Sequence, residues 1–220
     1  VVTTPNLFIL DLGCGTGIST RQLAKAFRKS FVIGSDKDMV MLEMALLHKE
    51  ERNVAYVQGE AAALPFKKGV FDLITLFTAF HWFADPAAVK EMVRVLKPGG
   101  MLAIIQPRHV SVHAGDFRKI LEKELGKSIL PSFYPTNFVE VLNQTRVRIL
   151  RTHHVKTEEC YTIDKYMLLL QSYSLWEHVP PVQRSKVLRV LKRHFMTCLE
   201  ADGFIHDRRE IEILITKPKR

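Results

Sequence analysis

Apolar and polar positions in the first hundred residues follow two alternating rhythms. Short apolar runs bounded by turn residues predict strands at Leu7–Leu12, Phe31–Ser35, Asn53–Gln58, Val70–Thr78 and Met101–Gln106. Between them, longer segments with helical character predict helices at Ile18–Lys29, at Met39–Lys49 behind an Asp38 cap, and at Pro86–Leu96 behind an Asp85 cap. Strand and helix in regular alternation imply a parallel sheet with helices on both faces. From Pro107 the rhythm changes. Helices are expected at Gly115–Leu125, Thr136–Asn143, Thr162–Leu170 and Pro181–Leu199, with strands at Val147–Val155 and Arg209–Lys217. The last, alternating Ile211, Ile213 and Ile215 with polar neighbours, reads as a final edge strand.

The first strand runs directly into Asp11-Leu12-Gly13-Cys14-Gly15-Thr16-Gly17. Three glycines at alternate positions permit a sharp turn and close approach of a ligand to bare backbone. A helix begins at once, so its free N–H groups point toward whatever the turn holds. Strand, glycine turn and helix is the layout of a nucleotide-cofactor site. The spacing is G-x-G-x-G with an acid two residues ahead, not the G-x-G-x-x-G of pyrophosphate-binding dinucleotide folds. Asp36 ends the next strand, where a carboxylate can take ribose hydroxyls.

Composition narrows the classes without choosing among them. At 220 residues, 47% hydrophobic and 25% charged, the chain fits one globular domain with an appended cap. No apolar run is long enough to span a membrane. Cys14, Cys160 and Cys198 are too few and too scattered for a disulfide framework or a zinc knuckle, and a reducing cytoplasm is the expected setting. The net charge of +9 is spread along the chain, +5 over residues 1–150 and +4 over 151–220. No basic tail or nucleic-acid motif accompanies it, so nucleic acid is not the favoured partner. His153 and His154 are adjacent on a strand and point to opposite faces, which argues against a metal there.

Four blocks in order, Asp11–Gly17, Asp36, Gly59–Phe66 with Phe71-Asp72, and Leu96–Gly100, resemble the class I S-adenosylmethionine (AdoMet)-dependent methyltransferases of the type-11 family. That group includes ubiquinone/menaquinone C-methyltransferases, and Phe80-His81-Trp82-Phe83 is similar to its trans-aconitate methyltransferase-like branch. The resemblance covers about residues 7–106 and implies an α/β, doubly wound, seven-stranded Rossmann-like sheet in the order 3-2-1-4-5-7-6, with the last strand antiparallel. It implies a single domain over 1–220, with a cofactor-binding core at about 7–106 and substrate-cap helices at about 107–145 and 162–200. Family members carry a few tens of residues before the glycine block that help to cap the pocket. Six residues precede Leu7 here, so either the sequence is trimmed at its start or the pocket is open on that side.

By the same resemblance, AdoMet is the cofactor and Asp11, Gly13, Cys14, Gly15, Gly17, Asp36, Lys37, Glu60, Ala61 and Thr78 surround it. Glu60 and the Ala61 N–H would read the adenine, Asp11 would attract the α-ammonium directly or through water, and Thr78 stands where backbone carbonyls hold that ammonium. His81 is the candidate base or orienting group, with Trp82 beside it on the substrate side. Asp72 and the Lys97–Gly100 turn are read as structural. Tyr166, Tyr173 and Trp176 fall where such folds build covers, although ordinary helix packing explains them as well. The function implied is methyl transfer to a small-molecule acceptor by in-line displacement. RNA methylation and an AdoMet-binding protein without turnover stay open, and a hydride-transferring enzyme fits the glycine spacing less well. The acceptor and the oligomeric state cannot be read from these residues.

Overall fold

The computed structural model describes residues 6–108, 112–129 and 138–219. The first half follows the predicted rhythm: β1 (Phe8–Leu12), α1 (Ile18–Ala26), β2 (Phe31–Asp36), α2 (Met39–Leu47), β3 (Val54–Gln58) and β4 (Phe71–Phe77). A single 3-10 turn, Phe80–Trp82, leads into α3 (Pro86–Val95) and β5 (Leu96–Arg108). Then come α4 (Val112–Leu125), α5 (Phe138–Asn143), β6 (Val147–Tyr161), α6 (Ile163–Gln171), α7 (Arg184–Met196) and β7 (Ile205–Pro218). Capping follows the sequence. Asp38 Oδ1 accepts from the Val40 and Met41 N–H groups, Asp85 Oδ1 from those of Ala87 and Ala88, and Thr162 Oγ1 from that of Lys165.

The seven strands form one sheet in the order β3-β2-β1-β4-β5-β7-β6. The pairs β1–β2, β1–β4, β2–β3 and β4–β5 are parallel. Thr216 bonds Leu102 while Glu212 bonds Gln106, and Lys219 bonds Arg146 while Glu210 meets His154, so β7 runs against both its neighbours. The mixed sheet is the one the resemblance implies.

Three expectations need correction. β7 is not at the edge; it lies between β5 and β6, and β6 is the edge strand. Alternation along β7 reports the two faces of the sheet and carries no information about how many strands flank it. β5 begins earlier than Met101: Leu96 already pairs with Phe71, residues 97–100 bulge outward, and pairing resumes at Leu73 and Met101. Asp72 holds this irregularity, accepting from the Phe8 N–H at 2.9 Å and from Lys97 Nζ at 2.7 Å. β6 extends six residues beyond the predicted Val155, because β7 begins at Ile205 and offers a partner that the local pattern does not contain. The predicted helix start at Thr136 lies outside the described residues; the helix is seen from Phe138.

The chain divides into two compact units, one drawn from Val1–Gln106, Pro135–His153 and Glu212–Arg220, the other from Pro107–Tyr134 and His154–Ile211. Leu10, Phe71, Ile74, Leu76, Phe80, Met92 and Ile104 are buried in the first, beneath α3 and α5. On the other face of β1 and β2, Ile9 and Val32 pack with Leu23 and Ala24 of α1. Each fully buried side chain of this size contributes about 1.5–3 kcal/mol. The second unit has its own core, in which Tyr166 and Trp176 pack with Phe117, Leu191 and Phe195.

Candidate functional site

The C-terminal ends of β1, β2, β3 and β4 bring the candidate residues together. Gly13, Gly15 and Gly17 have φ of 72°, 52° and 75°, the left-handed region that favours glycine. Their turn is tied to β2. The Gly13 and Cys14 N–H groups donate to the Ser35 carbonyl at 2.8 and 3.1 Å, and the Gly15 N–H donates to Asp36 Oδ2 at 2.8 Å. Nothing lies within 4 Å of where a Cβ on Gly15 would stand, so the turn faces open space there. Burial pushes the Cys14 thiol up, and the Asp11 and Asp36 charges add to the shift, so it stays protonated at neutral pH.

Asp36 also accepts from the Asp38 N–H at 3.0 Å, through Oδ1. A carboxylate has about four lone-pair sites, so capacity for a diol remains. The Asp36 carbonyl accepts the Gly59 N–H at 3.0 Å, which docks the end of β3 beside it. Lys37, Asp38, Gln58, Gly59 and Glu60 line an open pocket of about 570 Å³ at this junction. Gln58 Nε2 donates to the Lys37 carbonyl at 3.0 Å. Glu60 is exposed at the pocket; Ala61, next in the chain, is buried.

Asp11 is placed differently from these. It is 1% exposed, directly under the turn. Its carboxylate accepts from Ser19 Oγ and Thr20 Oγ1 at 2.7 Å each and from Thr75 Oγ1 at 3.0 Å. Burial raises its pKa and the three hydroxyls only partly offset that. Ser19, Thr20 and Thr75 were not singled out in the sequence reading. Thr75 could have been, as a lone hydroxyl in the apolar run Leu73–Phe77.

At the end of β4, Thr78 adopts φ 52°, rare for a β-branched residue. The turn it makes lays Ala79 and Phe83 on the glycine turn: a Cβ on Gly13 would stand 2.5 Å from the Ala79 Cβ. His81 and Trp82 follow in the 3-10 turn, their rings 4.9 Å apart. Trp82 is 56% exposed, whereas His81 is half-buried and its pKa is lowered by desolvation. The imidazole is therefore neutral at neutral pH.

The match to known proteins agrees with this geometry. Residues 10–104 match the family described as "Methyltransferase domain". An uncharacterized methyltransferase-like protein of Schizosaccharomyces pombe is 31% identical over 182 residues, 81% of this chain and 69% of that protein. A demethylmenaquinone methyltransferase of Lactococcus lactis is 44% identical over 108 residues, 47% of this chain. That match spans 43% of the Lactococcus protein, less than half its length. Among solved structures, a SAM-dependent methyltransferase of Methanosarcina mazei superposes with a TM-score of 0.60 at 17% identity, covering 98% of this chain and 94% of that one. The last likeness shows the fold alone. The chain belongs to the methyltransferase domain family, the AdoMet-dependent class I group that its sequence resembles.

The residues present fit AdoMet. The cofactor needs a close backbone approach, a diol acceptor and room for a purine. The open space beside Gly15, the spare acceptor capacity of Asp36 and the pocket beside Glu60 meet those needs in that order.

Proposed function

We propose that this domain transfers a methyl group from AdoMet to a small-molecule acceptor by in-line displacement. The observation that carries the reading is the position of Asp36, one carboxylate that fixes the glycine turn and borders the pocket at the end of β3. AdoMet, when bound, supplies a methyl group made electrophilic by its sulfonium. What the protein contributes is alignment and exclusion of water, and alignment alone is worth about 7–11 kcal/mol.

In this reading Asp36 takes the ribose hydroxyls, while Glu60 and the Ala61 N–H meet the adenine in the pocket that Lys37 also lines. Gly13, Cys14, Gly15 and Gly17 give backbone contact to the methionine and ribose, and the Thr78 carbonyl takes the ammonium. Asp11 acts through charge and through α1, since its oxygens are taken by hydroxyls. His81, a neutral imidazole, accepts the acceptor's proton at its unprotonated ring nitrogen or orients it. Trp82 offers an exposed ring to the acceptor. A small acceptor is supported by the Lactococcus relative, whose name gives demethylmenaquinone as its substrate.

Transfer of tritiated methyl from AdoMet to a panel of quinols, carboxylic acids and amines tests the reading, with folded RNA as a separate arm. Label in a small acceptor is the expected result. Label in RNA alone would replace the acceptor class, and label in none of them would overturn methyl transfer to these substrates.

A further inference from the structure

Two backbone carbonyls at the exit of the glycine turn are held by side chains outside the proposed reaction. Arg21 Nη1 donates to the Thr16 carbonyl at 2.9 Å, and the Tyr56 hydroxyl reaches the Gly17 carbonyl at 3.5 Å. We propose that Tyr56, assisted by Arg21, is a positioning residue for the cofactor site, fixing the left-handed exit of the turn at Gly17 and thereby the aim of the first turn of α1. The inference rests on the reading that this turn binds AdoMet.

Register puts Tyr56 of β3 directly opposite Gly34 of β2. A Cβ on Gly34 would stand 2.7 Å from both Cδ1 and Cε1 of Tyr56, so the ring occupies the space a side chain would take there. The same ring continues to the turn, where a Cβ on Gly17 would stand 2.3 Å from the Tyr56 hydroxyl. Two glycines are thus matched to one aromatic side chain.

The match matters because Gly17 is otherwise held by backbone alone: its N–H donates to the Cys14 carbonyl at 2.9 Å and its carbonyl accepts the Arg21 N–H at 3.0 Å. It caps α1 with φ 75° and, as glycine, has no side chain to add a capping bond. The entry half of the turn, Gly13 to Gly15, is tied to Ser35 and Asp36 on β2. The exit half has Tyr56 and Arg21. Burial pushes the Tyr56 phenol up, so it remains a neutral donor, and the Arg21 guanidinium beside it pulls the other way. The helix N–H groups that follow Gly17 are directional donors, so their aim matters to a bound ligand, and in a reacting geometry a misplacement of 1 Å can cost about 100-fold in rate.

The test is calorimetric titration of the full chain with S-adenosylhomocysteine, well below the melting temperature of each variant, for Y56F, Y56L and R21M. Y56L and R21M are expected to bind about five- to tenfold more weakly, the scale of a lost hydrogen bond and its alignment, whereas Y56F, which keeps the ring, stays within about threefold. Melting temperatures measured in parallel separate this from a loss of folded protein. Arg21 is half-buried on α1, which makes R21M the safer variant if Y56L does not fold. Folded Y56L or R21M that binds like the unaltered chain overturns the inference. An unaltered chain that does not bind S-adenosylhomocysteine would instead sink the cofactor reading itself.

Discussion

Thr75 faces Asp11 across the β1–β4 pair, its hydroxyl 3.0 Å from the carboxylate. The bond explains how an acid can sit 1% exposed beneath the glycine turn: three hydroxyls replace the water it has lost. Removing one of them, in T75V, keeps the side-chain shape and leaves the acceptor poorly satisfied. A loss of about 1–3 kcal/mol is expected by urea denaturation.

Asp11 also gives a pH signature. Its folded pKa is raised above the ordinary value of 3.8, chiefly by burial. The protonated form is therefore favoured in the folded chain, and its contribution is fully present below pH 3.8 and lost as pH rises through the folded value. D11N should remove that decline. The check is the difference in unfolding free energy between the two proteins across this range, since Asp72 and Glu91, with lowered pKa values, contribute slopes of opposite sign that cancel in the difference.

Thr78 holds a left-handed conformation that costs an L-residue about 1–2 kcal/mol. T78G relieves this and gives back part of the gain through unfolded-state entropy, about 0.5–1 kcal/mol. A net rise of up to about 1 kcal/mol in stability is expected by calorimetry. Methyl transfer should fall in the same variant, because glycine loosens the turn that carries His81.

How much of this was legible in advance differs between kinds of feature. The Asp11–Gly17 block and the Asp38 and Asp85 caps are local patterns that periodicity with turn chemistry finds, and Asp36 shows as the acid that ends the second strand, although its bond to Gly15 does not. Ser19 and Thr20 of α1 reach Asp11 through the fold of the glycine turn, and Thr75 through the β1–β4 register, a convergence that the sequence pattern does not contain. The interior place of β7 and the reach of β6 to Tyr161 likewise follow from long-range pairing, to which the sequence pattern is blind. Tyr56 reads in the sequence only as a strand residue, because the space it fills at Gly34 and Gly17 is set by the β2–β3 register.

His81 supplies a rate signature. Desolvation lowers its pKa below 6.5, so the neutral imidazole persists to lower pH than a free histidine would allow. If it takes the acceptor proton, the rate falls only as pH drops through that lowered value. If His81 is the proposed base, H81N should cost roughly 100-fold or more in kcat and leave AdoMet affinity intact, because the proposed cofactor contacts do not include its side chain. The pH–rate profile of the unaltered enzyme and a binding titration of H81N check the two halves.

The most direct test of the cofactor site is AdoMet binding by calorimetry to the unaltered chain and to D36A. Charge-assisted hydrogen bonds of this kind contribute about 1.5–3 kcal/mol, and tenfold in affinity corresponds to about 1.4 kcal/mol. The unaltered chain should bind one equivalent, and D36A should bind at least about tenfold more weakly. Equal affinity in the two proteins, with D36A folded, would contradict the assignment of Asp36 and with it the site built around the glycine turn.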